Sequence, residues 1–396
     1  MRNRILFIEW KSFGNLHIKQ TFEQLGYDVE KYLLDTDKIN TVNDEQFTEQ
    51  LARHIMQSPY YCVFSFNYYP VVAIACKACR VPYVSWTYDS PFIQVYSKTI
   101  EYDTNFAFIF DRKVCENLED KGIRVYYLPM AAPMDCYQSV LSKNKSLALK
   151  YKGEISFVGS LYSEAHGNLF RYLNKLKPYE KGYIDALIAA QKKVYGYKFL
   201  EEILTERPET MREIQKICPV YANGDGLETA EWTLANYFLD RKITSIERRE
   251  ILELLGEKYK VKLYTPSDMQ IQGIENCGKV DYYEEAPVVF ANSKINLNIS
   301  LRSIQSGIPL RAFDIMACGG FLLSNYQEDY LEYFIPDQDI VIYNDYGDLL
   351  EKVDFYLKNE KSREQISESG HQKVMREHTY LQRAKNILEI VAEYWR

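Results

Sequence analysis

Short apolar runs separated by polar, glycine-bearing turns recur through the N-terminal half of the chain. RILFIEW predicts a first strand, FGNLHIKQTFEQLGY a helix stopped at Gly26, and YDVEKYLL a second strand. YYCVFSF predicts a third strand, followed by a helix through Cys79 and a strand VPYVSW. The run NFAFIF then leads into helix DRKVCENLEDKG, and IRVYYLPMA predicts the last strand. Strands and helices alternating over short connections predict a mostly parallel sheet covered on both faces. Ligands on such a sheet sit beyond the carboxyl ends of its strands, which singles out the loops at 9–17, 67–69 and 87–91.

From about 129 to 152 the pattern breaks: LPMAAPMDC carries Pro129 and Pro133, and a polar lysine and serine stretch follows. A linker is expected there, with a first domain over 1–150 and a second over 151–380. GEISFVGSLYSEAHG predicts a strand that delivers Gly159 and Ser160 to a loop. A single crossover helix would follow in an ordinary βαβ unit, yet helical periodicity runs on for about ninety residues, which predicts an inserted helical subdomain at about 165–250. The sheet resumes with YKVKLYTP, ending in Tyr264 and Thr265, and GKVDYYEEAPVVFANS predicts a strand and a helix. Alternation over 295–299 predicts another strand, then a loop with Ser303, Ser306 and Gly307, then a helix begun at Pro309 and stopped by Gly319 and Gly320 before strand FLLSN. The chain closes in helices; in the last, over 381–396, Ile387, Leu388, Val391 and Tyr394 share one apolar face suited to a return to the first domain.

The strand, loop and helix over 294–323 form a βαβ unit with a physical use. Loop N–H groups and the positive end of the helix dipole converge on a place for an anion, with Arg302 and Arg311 near in sequence to add full charges. Asp314, further along the helix, can accept hydrogen bonds from ribose or sugar hydroxyls. The plain alternative is a turn that binds nothing. In the first domain, Asp89 stands past a strand end where a carboxylate can take the proton of an attacking hydroxyl, and His17 can do the same. An ordinary turn residue before Ser90-Pro91 and a packing histidine are the competing readings. Glu9 is a third carboxylate at a strand end.

Composition narrows the class. At 396 residues the chain exceeds the size of a single core, so two domains are expected. Its apolar share of 46% and charged share of 26% are those of a soluble globular protein, and no run of 18 apolar residues occurs. The basic start lacks the long apolar stretch of a signal peptide, so a cytoplasmic location is expected. A net charge of −7 argues against broad nucleic-acid binding or a polybasic membrane patch. The eight cysteines show no paired framework, and Cys76 and Cys79 sit in an apolar helix-like stretch, where free thiols are the expected reading over redox or zinc use. Asp-x-Asp at 35–37 and at 337–339 occurs about as often as chance allows, and no metal is expected.

RAFDIMACGGFLL, then NYQEDYLEYF and later HTYLQRAKNIL, resembles the C-terminal signature of the CgeB-like (spore-maturation type) glycosyltransferases; ILFIEWKSFGNLHI and WTYDSPF resemble their N-terminal domain. The resemblance implies the GT-B fold: α/β, two Rossmann-like domains facing a central cleft, here with a helical insertion in the second. It implies a sugar moved from a nucleotide-diphosphate donor, UDP-sugar by default, to a protein, glycan or small-molecule acceptor. No metal or cofactor is implied, and three roles stay open for the insertion: holding the acceptor, pairing with another subunit in a homo-oligomer, or buttressing the cleft. In this reading Gly159, Ser160, Arg302, Ser303, Ser306, Gly307 and Arg311 meet the diphosphate, Tyr264 and Thr265 the base or sugar, and Asp314 the ribose or sugar. Many retaining members carry two glutamates eight residues apart, which fall on Ser306 and Asp314; Ser306 is no carboxylate, so a stereochemical outcome is not carried over. A nucleotide-sugar epimerase of the same fold, or a non-catalytic spore-coat or assembly protein, are the other readings the sequence leaves open.

Overall fold

The structure is a computed structural model and describes residues 3–164, 169–220 and 226–395. Among these residues the chain builds two six-stranded sheets, parallel throughout. The first holds β1 (Arg4–Glu9), β2 (Asp28–Leu33), β3 (Cys62–Phe66), β4 (Tyr83–Thr87), β5 (Asn105–Ile109) and β6 (Tyr126–Tyr127), in the order β2-β1-β3-β4-β5-β6. The second holds β7 (Gly153–Val158), β8 (Val261–Tyr264), β9 (Ile274–Asn276), β10 (Ser293–Asn298), β11 (Leu322–Asn325) and β12 (Val341–Tyr343), in the order β12-β11-β10-β7-β8-β9. These are the two Rossmann-like domains expected.

Burial explains the sequence patterns. Strands β3, β4 and β5 are buried at every residue, as central strands of a doubly covered sheet must be, and so read as nearly unbroken apolar runs. Edge strand β2 keeps Asp28, Glu30 and Lys31, charges that discourage pairing with another chain. Ile5, Leu6, Phe7 and Ile8 of β1 are wholly buried, each contributing about 1.5–3 kcal/mol by leaving water.

The first compact unit comprises residues 3–133, 226–228 and 378–395. Its last helix, Tyr380–Tyr394, starts in a capping box of Thr379 and Gln382 and packs on helix Asn15–Gln24. Arg383 Nε donates to Pro129 O at 2.8 Å, and Ala132 N to His378 O at 3.0 Å. Helix Glu45–Ile55 was not anticipated; Asp44 caps it through Phe47 N at 2.8 Å, and Phe47, Leu51 and Ile55 recur every fourth position on its buried side.

The second unit comprises 134–220 and 229–377 of the described residues. The expected linker is largely helical: once past Pro133 the chain forms helix Met134–Lys143, which buries Met134, Tyr137 and Val140. Two further expectations are corrected. IRVYYLPMA yields only the two-residue β6. GKVDYY forms no strand, because Asp281 Oδ1 accepts from Tyr283 N and Glu284 N and curls the chain into a turn; the strand lies earlier, at β9. The insertion is helical as expected, with helices Pro178–Lys192, Leu200–Thr205, Pro208–Gln215 and Asp240–Gly256; its residues 165–168 and 221–225 lie outside the described ones. Its own core gathers Ile184, Leu204, Met211, Ile214, Phe238 and Ile243, apart from the cluster over the sheet.

Candidate functional site

In the second sheet the strand order reverses between β10 and β7, the place beyond the strands' carboxyl ends where sheets of this kind take their ligands. Strand β7 delivers Gly159 and Ser160 there, and β10 delivers the loop that leads to helix Leu310–Ala317. Gly159 is held by its N–H to Tyr264 O at 2.9 Å. A Cβ on Gly159 would stand 2.8 Å from Arg311 Nη2 and 3.2 Å from its Cζ, so glycine here makes room for a guanidinium. Arg311 donates from Nη1 to Asn298 Oδ1 at 3.3 Å and lies 5.3 Å from the Phe157 ring, while its Nε is buried without a hydrogen-bond partner. The helix that carries it begins at Pro309 with no side-chain cap. A buried N–H left unmatched beside a helix N-terminus suits a negatively charged oxygen.

Arg302 does not join this group. Its Nε and Nη2 bond both oxygens of Glu247, and Nη1 and Nη2 also donate to Val194 O and Lys192 O, each at 2.8 Å. The guanidinium lies 3.7 Å from the Tyr195 ring and is nine-tenths buried. Its charge is therefore committed to the insertion rather than offered to a ligand. Ser303, Ser306 and Gly307 are buried in the loop, where Ser306 O accepts from Asp329 N at 3.1 Å. Thr265 is also buried, its N–H donating to Gly278 O, and the Tyr264 ring sits 6.0 Å from that of Tyr151.

Asp314 faces inward. Tyr282 Oη donates to its Oδ2 at 2.5 Å and Tyr137 reaches the same carboxyl group, so phenols occupy the place foreseen for sugar hydroxyls. Burial pushes its pKa up to about 7, against the opposing pull of Tyr282, Tyr137 and Arg311.

The first sheet reverses between β1 and β3. Beyond these strands Trp10 Nε1 donates to Phe66 O at 2.7 Å, joining the two loops, and the Trp10 and Tyr88 rings lie parallel at 6.3 Å. Asn67, wholly buried with φ 57°, is the centre of the group. Its Nδ2 donates to Asp89 Oδ2 at 2.7 Å and its Oδ1 accepts from Tyr88 N at 3.1 Å, which orients the exposed Asp89. Asparagine suits this position because it tolerates the left-handed backbone region and offers both a donor and an acceptor. His17 lies in helix Asn15–Gln24, 5.9 Å from the Tyr380 ring; burial lowers its pKa to about 4, so it is a neutral acceptor at pH 7. Glu9 pairs with Lys31 at 2.7 Å.

Residues to which the sequence assigned no role thus include Asn67, Asn298, Tyr137, Tyr282 and Arg248. Arg248, from helix Asp240–Gly256, donates to Ser160 O at 2.5 Å and to Ile299 O at 2.6 Å. Asn67 lies in the loop at 67–69 that its place beyond a strand end singles out, and the left-handed bias of asparagine marks it within that loop. All eight cysteines are free; Cys76 is buried and Cys79 partly so. No described helix is long and apolar enough to cross a membrane, and the described residues contain no group of three or more His, Cys, Asp or Glu arranged to hold a metal ion.

Residues 241–389 match the model of a family described as "Glycosyl transferase-like", so this stretch is similar to that family. No curated protein matches the chain in sequence. Among solved structures the chain is similar to a glycosyltransferase from Rickettsia africae, at 10% identity over 100% of this chain and 99% of that one, with a TM-score of 0.56. It is also similar to sucrose-phosphate synthase from Thermosynechococcus elongatus, at 11% identity over 99% of each chain, TM-score 0.54. Anabaena HepE in complex with UDP-glucose is a third, at 12% identity over 98% of this chain and 99% of that one, TM-score 0.52. The likeness extends along both chains in each case and establishes the fold as GT-B.

Proposed function

We propose that the chain is a CgeB-like glycosyltransferase that moves a sugar from a UDP-sugar to a hydroxyl of a protein, glycan or small-molecule acceptor, in the cytoplasm and without a metal. The observation that carries this reading is Arg311: a guanidinium with a buried, unmatched Nε, set against Gly159 where the strand order reverses. As the bond from sugar to diphosphate breaks, negative charge grows on the leaving phosphate. A fixed guanidinium and the N-terminal end of a helix lower the energy of that state more than of the intact donor. The family match over 241–389 supports the same reaction class, and the UDP-glucose complex of Anabaena HepE supports UDP as the nucleotide. Asp89, exposed and oriented by Asn67, is the proposed base for the acceptor hydroxyl, with neutral His17 as the second candidate.

Thermal unfolding of the wild type and Arg311→Ala with UDP, GDP, dTDP, CMP and their sugar conjugates tests the reading. Ligand at a hundred times its Kd stabilises by about 2.7 kcal/mol. A shift confined to uridine compounds and lost in Arg311→Ala is the expected result; no shift with any nucleotide overturns it. Sugar transfer that survives EDTA is expected, and transfer abolished by EDTA and restored by a divalent ion would overturn the metal-free part. Conversion of the donor with no acceptor present would instead make the protein an epimerase.

A further inference from the structure

The loop after β7 carries no basic residue over 159–164, and the loop after β10 has its one arginine, Arg302, bonded to Glu247. Both loops are nevertheless tied to one cation, and it comes from the insertion. Arg248 is buried in helix Asp240–Gly256, whose residues also include Thr244, which accepts from Arg302 N at 2.9 Å, and Glu247, which holds the Arg302 side chain. Arg248 Nη1 reaches Ser160 O in the first loop at 2.5 Å, while Nε and Nη2 reach Ile299 O at the start of the second at 3.2 and 2.6 Å. Its guanidinium lies 5.2 Å from the Phe157 ring, which Arg311 approaches at 5.3 Å, and 4.8 Å from Tyr162. Tyr162 has φ 55°, a backbone state a tyrosine keeps only where its surroundings hold it; Ser160 Oγ accepts its N–H at 2.8 Å.

We infer that Arg248 is a positioning residue for the donor site: one rigid fork sets the separation of the two loops and, through Ser160 and its neighbour Gly159, the seat of Arg311. The inserted helices are then part of the donor site's frame. A guanidinium can direct separate N–H groups at two carbonyls on different loops, and an ammonium cannot reproduce that fork. The inference rests on the proposed donor site for its functional meaning, and on geometry alone for its structural part.

The test compares Arg248→Met and Arg248→Lys with Ile243→Ala, which opens a cavity in the insertion's own core while removing no hydrogen bond to either loop. Three quantities are read in the full-length protein: melting temperature, amide hydrogen exchange over 159–162 and 299–307, and KM and kcat with UDP-glucose. In Arg248→Met both loops are expected to exchange at least about tenfold faster. Losing hydrogen bonds from a charged donor is expected to raise donor KM about ten- to hundredfold, with kcat changed far less. Arg248→Lys falls between, and Ile243→Ala lowers the melting temperature while leaving loop exchange and KM alone. Unchanged loop exchange in Arg248→Met overturns the inference, as does an equal rise in exchange and KM in Ile243→Ala at matched melting temperature. If both loops loosen in Arg248→Met but the wild type binds neither UDP nor UDP-glucose, Arg248 keeps its positioning role and the glycosyltransferase reading falls.

Discussion

Replacing Asp314 with asparagine should change how the protein's stability depends on pH. The carboxyl group is buried against Tyr282 and Tyr137, and desolvation raises its pKa to about 7. In the unfolded chain an aspartate titrates near 4. Between those two values the folded state binds the proton and the unfolded state does not, so stability falls as pH rises through this window. Each pH unit of difference is worth about 1.4 kcal/mol, which makes the whole effect about 4 kcal/mol, with about 2–3 kcal/mol of it lost between pH 5 and pH 8. In a unit of this size that corresponds to about 5–10 °C of melting temperature. Asparagine does not titrate, so the difference in melting temperature between wild type and Asp314→Asn should move by this amount, in the wild type's disfavour, from pH 5 to pH 8. Taking the difference across pH removes any fixed cost of the substitution. Tyr282→Phe, which takes a donor from the ionised carboxylate, should push the transition to higher pH. Parallel melting curves for wild type and Asp314→Asn across this range would refute the argument.

Gly159→Ala should leave melting temperature within about 2 °C, since the new Cβ meets side-chain atoms and no backbone, while weakening UDP-glucose binding measured by calorimetry, because it displaces the Arg311 guanidinium, whose Nη2 stands 2.8 Å away, from its seat. Glu247→Ala leaves buried Arg302 without its counter-charge and should destabilise the second unit by about 3–5 kcal/mol, read as earlier thermal melting. The pKa of His17 is depressed to about 4 by burial, so the unfolded chain binds a proton there that the folded one refuses. Stability should therefore fall as pH drops from about 6.5 to 4, by at most about 3 kcal/mol. His17→Gln should flatten that limb of the curve.

Both sheets were legible in the sequence because their central strands are buried on two faces and so print as apolar runs, as in CVFSF of β3 or INLN of β10. Elements held by few residues or by side chains left no such print. Strand β12 has three residues, and the turn at 281–285 replaces an expected strand through the side-chain bonds of Asp281. The pairing of Gly159 with Arg311 joins residues 152 positions apart that the sequence had assigned to one site, because each borders a strand end at the same reversal of order. Periodicity reports which way a side chain faces but not which partner has already claimed it. Arg302 and Asp314 were legible as charges near the loop; that Glu247 and Tyr282 engage them depends on segments brought in by the insertion and by the turn before helix Ala286–Asn292.

Helix Tyr380–Tyr394 packs on helix Asn15–Gln24, and Arg383 holds the carbonyls of Pro129 and Met130. Vectorial synthesis therefore meets an unusual order of events. The first sheet is complete in sequence by residue 127, yet the nascent domain lacks its closing helix while some 250 further residues are translated, including the whole of the second unit. The second unit can finish folding on the ribosome before the first. A frameshift or proteolytic cut that removed only the final helix would strip a wall from the domain built first, exposing the side of helix Asn15–Gln24 that it covers and making that surface a site for chaperone capture or aggregation.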